Sequence, residues 1–468
     1  MVYMKLHKHP GMPLKRQIYA CLREMILAGR LKPGEKLPPS RKLAEDLNVS
    51  RNTVVEALEM LTAEGYLKGV SGSGIYIHDA MPDTRLPEKV ADYIVSPYSG
   101  EPFEGNSVSF QSGTPDLSLF PRAKWSRYAR EAFLEAPVSA FGYDYPHGRP
   151  EFRSVLARYL KKTRNIHCEP EDIIVTTGAK QAITIIAKAL LNPDSTALLE
   201  DPSNGNVRKI FSYHTEHIVP LATDGGGIVT DRLPSGLKPA LIFTTPSHQF
   251  PMGGFLPIHR RLKLLQYARD MDCYIVEDDY DSEFCYKGYP VSAMQGLESG
   301  RIVYIGTFSK TLYPSLRIGY MVLPPALSER CREIKRLEDH HTNSLNQLAL
   351  MRFIEDGELE RHIAKMKKVY KKRRDVLIDL LMDYFGDTVK ILGEQSGMHV
   401  VCEFEDTVFT PELLAEIGKN GVTVSCVEEH ALVKGLNMNR LILGYAHLAP
   451  EAIETGLLRI KQALSSSR

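Results

Sequence analysis

Gly306-Thr307-Phe308-Ser309-Lys310-Thr311-Leu312-Tyr313-Pro314-Ser315-Leu316-Arg317-Ile318-Gly319-Tyr320 places a lysine just after the apolar, β-rich run Ile302 to Gly306, with an arginine seven residues further on. In an open α/β sheet the clefts lie at the carboxyl ends of the strands. Lys310 can therefore aim its amine into such a cleft. Arg317, beyond the turn through Pro314, is positioned to meet a phosphate with two parallel N–H bonds. Outward from this stretch, β-rich runs at Ile173 to Thr177, Ala197 to Glu200, Leu241 to Thr245 and Tyr274 to Glu277 alternate with helical segments such as Lys180 to Leu191 and His259 to Arg269. That alternation predicts an α/β domain with a mostly parallel sheet covered by helices. After Pro325 long helices are expected through about Tyr384, then short strands near Met398 to Phe404 and Leu441 to Tyr445, a small α/β subdomain over about 326–468.

The N-terminus reads differently. Leu14, Ile18, Leu22, Met25 and Ile26 recur at helical spacing up to Gly29. Pro38-Pro39-Ser40 starts a second helix with Ser40 as its N-cap, and Ser50 caps a third through Val54, Val55, Leu58 and Leu61. Tyr66 to Lys68 and Ile75 to Ile77, joined by Gly69-Val70-Ser71-Gly72-Ser73-Gly74, predict the two strands and tip of a wing. Residues 1–78 are thus expected to form a winged helix-turn-helix, and the Pro-interrupted stretch 79–106 a linker to the α/β domain, 107–468.

The 468 residues carry a net charge of only +1, but residues 1–78 hold twelve Lys/Arg against seven Asp/Glu, leaving −4 for the remainder. A small basic head on a near-neutral body suits nucleic acid, because phosphate neutralisation is local to the contacting face. Seven scattered cysteines without C-x-x-C spacing indicate neither a disulfide framework nor a zinc site, and no metal is expected. The sequence shows no apolar signal core and no stretch long enough to span a bilayer, so a cytoplasmic protein without a membrane role is expected.

Two sets of residues carry chemistry. A helix entering the major groove needs polar residues in its first turn and cations near phosphates. Ser50, Arg51, Asn52 and Thr53 supply the first, and Arg41, Lys42 and Lys68 the second. The other set is suited to pyridoxal 5'-phosphate (PLP), which needs an imine-forming lysine, an acid at the pyridine nitrogen, a donor at the phenolate oxygen and a phosphate cup. Lys310, Asp278, Tyr280 and Arg317 match these roles. Thr177-Gly178-Ala179-Lys180-Gln181 adds a helix N-terminus with backbone N–H groups for an anion.

From Leu37 through Leu58, with Ala63 to Leu67 and the glycines Gly72 and Gly74, the head resembles the GntR superfamily. From about Val108 onward the chain resembles fold-type I PLP enzymes, and the union resembles the MocR/GabR regulators. The resemblance implies DNA contacts at Arg41, Arg51 and the wing glycines. It implies Lys310 as the Schiff-base lysine, Asp278 at the pyridinium, Tyr280 at the phenolate, and Ser309, Thr307, Gly178, Ala179 and Arg317 at the phosphate. Arg440 would hold the carboxylate of an amino-acid ligand, and Tyr143 would reach a neighbouring subunit's phosphate in a domain-swapped homodimer. Function would then be PLP-dependent transcription regulation on operator DNA, with an amino acid or related amine sensed through an external aldimine. Competing readings are a vitamin B6 regulator with PLP itself as effector, and a working aminotransferase. Two departures weigh against full transaminase turnover. Asn204 and Asn206 stand where the family usually has a ring-stacking aromatic and a basic residue, and Phe250 stands where many aminotransferases have asparagine.

Overall fold

The computed structural model describes residues 12–80, 107–288 and 291–466. The chain divides into two compact units, with the division falling between described residues 80 and 107. The expected linker lies outside the described residues apart from Asp79 and Ala80.

In the N-terminal unit, helices Leu14–Leu27, Ser40–Leu47 and Arg51–Ala63 precede a hairpin of Leu67–Val70 with Gly74–Ile77. Ile18, Leu22 and Ile26 from the first helix close over Val54, Leu58 and Leu61 from the third, which explains the helical spacing of both sets. Asn48 turns the chain between the second and third helices in the left-handed conformation (φ 52°), a conformation asparagine tolerates better than most residues. Ser40 differs from expectation. It is the first helical residue, preceded by Pro39 with no side-chain cap, and its Oγ instead accepts from Arg51 Nε at 3.4 Å. Strand pairing runs from Leu67↔Ile77 to Val70↔Gly74, so the wing strands extend further toward the tip than the glycine pattern suggested.

The C-terminal unit is built on an eight-stranded sheet in the order Ile173–Thr176, Gly319–Val322, Ile302–Thr307, Tyr274–Asp279, Pro239–Thr244, Thr196–Asp201, Ile218–Asp224, Gly227–Ile228. Its centre is parallel, but Gly319–Val322 runs antiparallel to both neighbours. That reversal follows from the short return after Lys310: the chain turns through Pro314–Leu316 and re-enters the sheet beside the strand it left. A connection this short permits only an antiparallel neighbour.

The small lobe is a four-stranded antiparallel sheet of Val389–Leu392, His399–Phe404, Arg440–Gly444 and Ser425–Cys426, covered by the helices Glu358–Phe385 and Pro450–Ser466. Its core takes in Val108 and Phe110 from the start of the unit, and Val108–Ser109 pairs with Val422–Thr423. Leu327 and Cys331, by contrast, pack on the large sheet, and Leu348 to Ile354 pack with helices Arg122–Glu135 and Pro150–Arg164. After residue 326 the first buried residue of the small-lobe core is Met366, inside the helix Glu358–Phe385.

Candidate DNA-reading surface and cofactor site

In the head, Ser50 Oγ accepts from the Thr53 amide at 3.2 Å and caps the third helix. The cap leaves Arg51 and Asn52 exposed on its first turn, with Thr53 half-buried behind them. Arg41, Asn48, Ser50 and Arg51 line one concave surface. Lys42 pairs with Asp46 at 3.3 Å and Lys68 with Asp79, whereas no such pair involves Arg41 or Arg51 among the described residues. Gly72 and Gly74 sit exposed on the wing with φ of 76° and 124°.

In the C-terminal unit the strands Tyr274–Asp279 and Ile302–Thr307 run parallel with Asp278 opposite Ile305. Asp278, Tyr280 and Lys310 thereby come to one end of the sheet. Lys310 Nζ donates to the Gly113 carbonyl at 2.5 Å, and burial lowers its pKa. Gly113 leaves room for this approach, since a Cβ there would stand 3.1 Å from Nζ. Asp278 is buried, and desolvation followed by the neighbouring Asp279 raises its pKa to about 7. Its Oδ1 has no hydrogen-bond partner. Asp279 faces elsewhere, taking Arg164 at 2.6 Å and the Tyr304 hydroxyl at 2.7 Å.

Tyr280 is half-buried, and desolvation pushes its pKa well up. Its hydroxyl donates to the His248 carbonyl at 3.0 Å and lies 3.0 Å from His248 Nδ1. Nδ1 is also 3.0 Å from both Asp281 oxygens, which fixes its proton on that side. His248, Asp281 and His399 bring their donor atoms within 4.8 Å of one another. Sequence spacing gives His248 and Asp281 no role; their pairing joins positions 33 residues apart. Close packing completes it, because a Cβ at Gly397 would lie 2.0 Å from the His248 ring.

At the phosphate-type loop, Gly178 (φ 111°) precedes the helix Ala179–Leu190. The Arg317 guanidinium lies on this loop, 3.3 Å from where a Gly178 Cβ would be. Thr307 Oγ1 is 3.1 Å from Ser309 Oγ and accepts from the Ser309 amide at 3.2 Å. An exposed arginine, a helix N-terminus without a side-chain cap and two hydroxyls form a cup for a dianion. With the unpartnered carboxyl oxygen of Asp278 and the half-buried Lys310 amine, the set fits PLP.

Three expected residues stand apart. Tyr143 is 88% exposed, its ring 4.9 Å from His340. Asn204 Oδ1 accepts from the Asn206 amide at 3.0 Å and caps the helix Gly205–Ser212. Arg440 is committed on the small sheet: Nε donates to Glu403 at 2.6 Å and Nη1 to Asn437 at 2.6 Å. In the pairing of these strands, His399 and Gly444 lie at the end near His248, and Arg440 is four residues away, roughly 13 Å along the strand. In this geometry its guanidinium is paired with Glu403 directly opposite on the neighbouring strand.

A PLP-type cleft and a winged helix define a DNA-binding protein with an aminotransferase-like body, and similarity to known proteins agrees. Residues 14–77 match the bacterial regulatory proteins of the gntR family, and residues 107–460 match aminotransferase class I and II. The chain is 34% identical to the probable rhizopine catabolism regulatory protein MocR of Rhizobium meliloti, over 98% of this chain and 95% of that protein. It is 28% identical to the pyridoxine biosynthesis transcriptional regulator PdxR of Corynebacterium glutamicum, over 98% of each. Among solved structures, a kynurenine aminotransferase of Pyrococcus horikoshii superposes with a TM-score of 0.72 at 27% identity, covering 78% of this chain and 92% of that one. The chain belongs to the MocR-type transcription regulators, GntR heads joined to an aminotransferase class I and II domain of a PLP-binding family. Among the described residues no helix is long and apolar enough to cross a membrane.

Proposed function

We propose that this regulator binds operator DNA through Arg41, Ser50, Arg51, Asn52, Thr53 and the wing, and senses an amine at a PLP group held in the Lys310 cleft. The observation that carries the reading is the buried, unpartnered Asp278 Oδ1 at the same strand end as the half-buried Lys310 amine. When bound, PLP supplies a carbonyl carbon that condenses with amines and a ring that accepts electron density. The chain's own residues do the rest. Lys310 offers the amine, Asp278 holds a proton at the ring nitrogen, and Tyr280 turns its hydroxyl from the His248 carbonyl to the phenolate. Arg317 and the amides after Gly178 hold the phosphate.

Sensing requires no turnover. Asn204 is used as a helix cap and Phe250 replaces an amide, so we assign little transaminase activity. The exposed Tyr143 suits a homodimer in which it completes the neighbouring subunit's phosphate cup. A second reading, with PLP itself as the effector, is favoured by the Asn204 cap, which leaves that position without a stacking ring. The test is binding of the full-length protein to DNA flanking its own gene, measured with and without PLP and then with added amines. A response to amines only in the PLP-loaded protein supports amine sensing. A response to PLP alone supports the second reading, and no response to either overturns both.

A further inference from the structure

Among the described residues, both polar contacts of the Tyr280 hydroxyl are to His248: the carbonyl, to which it donates at 3.0 Å, and the ring Nδ1, also 3.0 Å away. His248 follows the strand Pro239–Thr244 and Tyr280 follows Tyr274–Asp279; these strands are parallel neighbours with Thr244 opposite Glu277. The register brings both residues to the same end of the sheet. His248 Nδ1 lies 3.0 Å from each Asp281 oxygen, and a carboxylate there keeps the proton on that nitrogen. The ring can therefore act on the Tyr280 oxygen only as a donor. With that N–H shared between carboxylate and hydroxyl oxygen, the Tyr280 proton is left free to be given elsewhere.

The imidazole has little freedom to turn. The side chains of His248 and Asp281 are each 1% exposed. Gly397 packs directly on the pair, because a Cβ there would lie 2.0 Å from His248 Cε1 and 2.8 Å from Asp281 Oδ2. Gly397 is itself tied down: its amide donates to the Phe284 carbonyl at 2.8 Å, and its carbonyl accepts from the hydroxyls of Tyr286 at 2.7 Å and Tyr445 at 2.8 Å. On another side the His399 ring sits 5.1 Å from the His248 ring and donates from Nε2 to the Pro251 carbonyl at 2.8 Å. The Phe250 ring, 6.2 Å from Tyr280, carries no donor that could stand in for the hydroxyl.

We propose that His248, locked by Asp281, is a positioning residue for the cofactor: its ring N–H holds the Tyr280 oxygen so that the hydroxyl proton is directed to the phenolate of PLP. His248 acts through Tyr280 and need not touch the cofactor. The inference rests on the Lys310 reading above and deepens it.

The test uses the full-length protein, with PLP affinity read by equilibrium dialysis. His248→Leu fills most of the ring's volume without a donor, whereas His248→Asn is smaller but restores an N–H at the position of Nδ1. The leucine variant is expected to bind PLP roughly three- to tenfold more weakly, as for one lost hydrogen bond, and the asparagine variant to stay within about twofold of the unsubstituted protein. In a Tyr280→Phe background the leucine substitution should change affinity by less than about twofold, because the hydroxyl it acts through is gone. Should the leucine variant not fold, His248→Ala takes its place in both backgrounds. Full PLP affinity without the donor, an asparagine variant no better than the leucine one, or the same loss with and without the Tyr280 hydroxyl overturns the proposal. Borohydride trapping on the unsubstituted protein separates the levels. Without an adduct on Lys310 the cofactor reading falls and this inference with it; with an adduct and equal losses in both backgrounds, only the positioning role falls.

Discussion

Arg440 and Glu403 face each other across two antiparallel strands of the small sheet, with Nε donating to the carboxylate at 2.6 Å. Both side chains are about a quarter exposed, so solvent screens the pair. Arg440→Ala should cost on the order of 1 kcal/mol of stability and leave amine affinity unchanged. Urea unfolding and an absorbance titration of the same variant check this; a large loss of amine affinity in a folded variant would place Arg440 at the ligand.

Lys310 is a half-buried amine at the same strand end as Asp278, and we predict that it carries the cofactor. Lys310→Ala should abolish the visible absorbance of the PLP-loaded protein and the borohydride-trapped adduct. Peptide mapping that places the adduct on Lys180, next along the same cleft electrostatically, would reject the assignment.

Burial raises the pKa of Asp278 from 3.8 to about 7, and raises that of Glu277 to about 7 as well. Between about pH 4 and 7 the folded PLP-free protein then binds more protons than the unfolded chain, so its stability falls as pH rises through that window. Asp278→Asn removes one of these groups. The PLP-free variant should be more stable than the unsubstituted protein at pH 8, show a flatter pH profile, and bind PLP more weakly. Thermal melts from pH 4 to 8 would contradict this if the variant were less stable at pH 8.

Asn204→Tyr exchanges a helix cap for a ring. Loss of the bond to the Asn206 amide should cost about 1 kcal/mol of stability, while stacking should tighten PLP by roughly tenfold or less. Equilibrium dialysis and melting curves read the two effects separately. Unchanged PLP affinity would mean that position 204 does not face the pyridine ring.

Arg41 has no ion pair among the described residues and is exposed at the start of the second helix. Arg41→Ala should weaken binding to all DNA sequences and reduce the salt slope by about one, as for one lost phosphate contact. Asn52→Ala should alter sequence preference more than the slope. Full operator affinity in both variants at moderate salt would point to another reading surface.

The sequence by itself determined what local spacing encodes. Helical periodicity marked Ile18, Leu22 and Ile26 as a buried face, Ser50 was legible as a cap, and the strand before Lys310 with Arg317 beyond its turn announced a cleft at a sheet end. Tertiary structure decided whatever depends on pairing between distant segments. Arg440 meets Glu403, 37 residues away, only because two strands adopt one particular register, and residue type does not encode that register. The same holds for Val108 and Phe110 joining the small-lobe core, for Gly319–Val322 reversing inside a parallel sheet, and for His248 finding Asp281 and Tyr280. Asn204 shows the limit most clearly. Its departure from an aromatic was visible in the sequence, but its use as a cap appeared only when the helix beginning at Gly205 put an orphan amide within its reach.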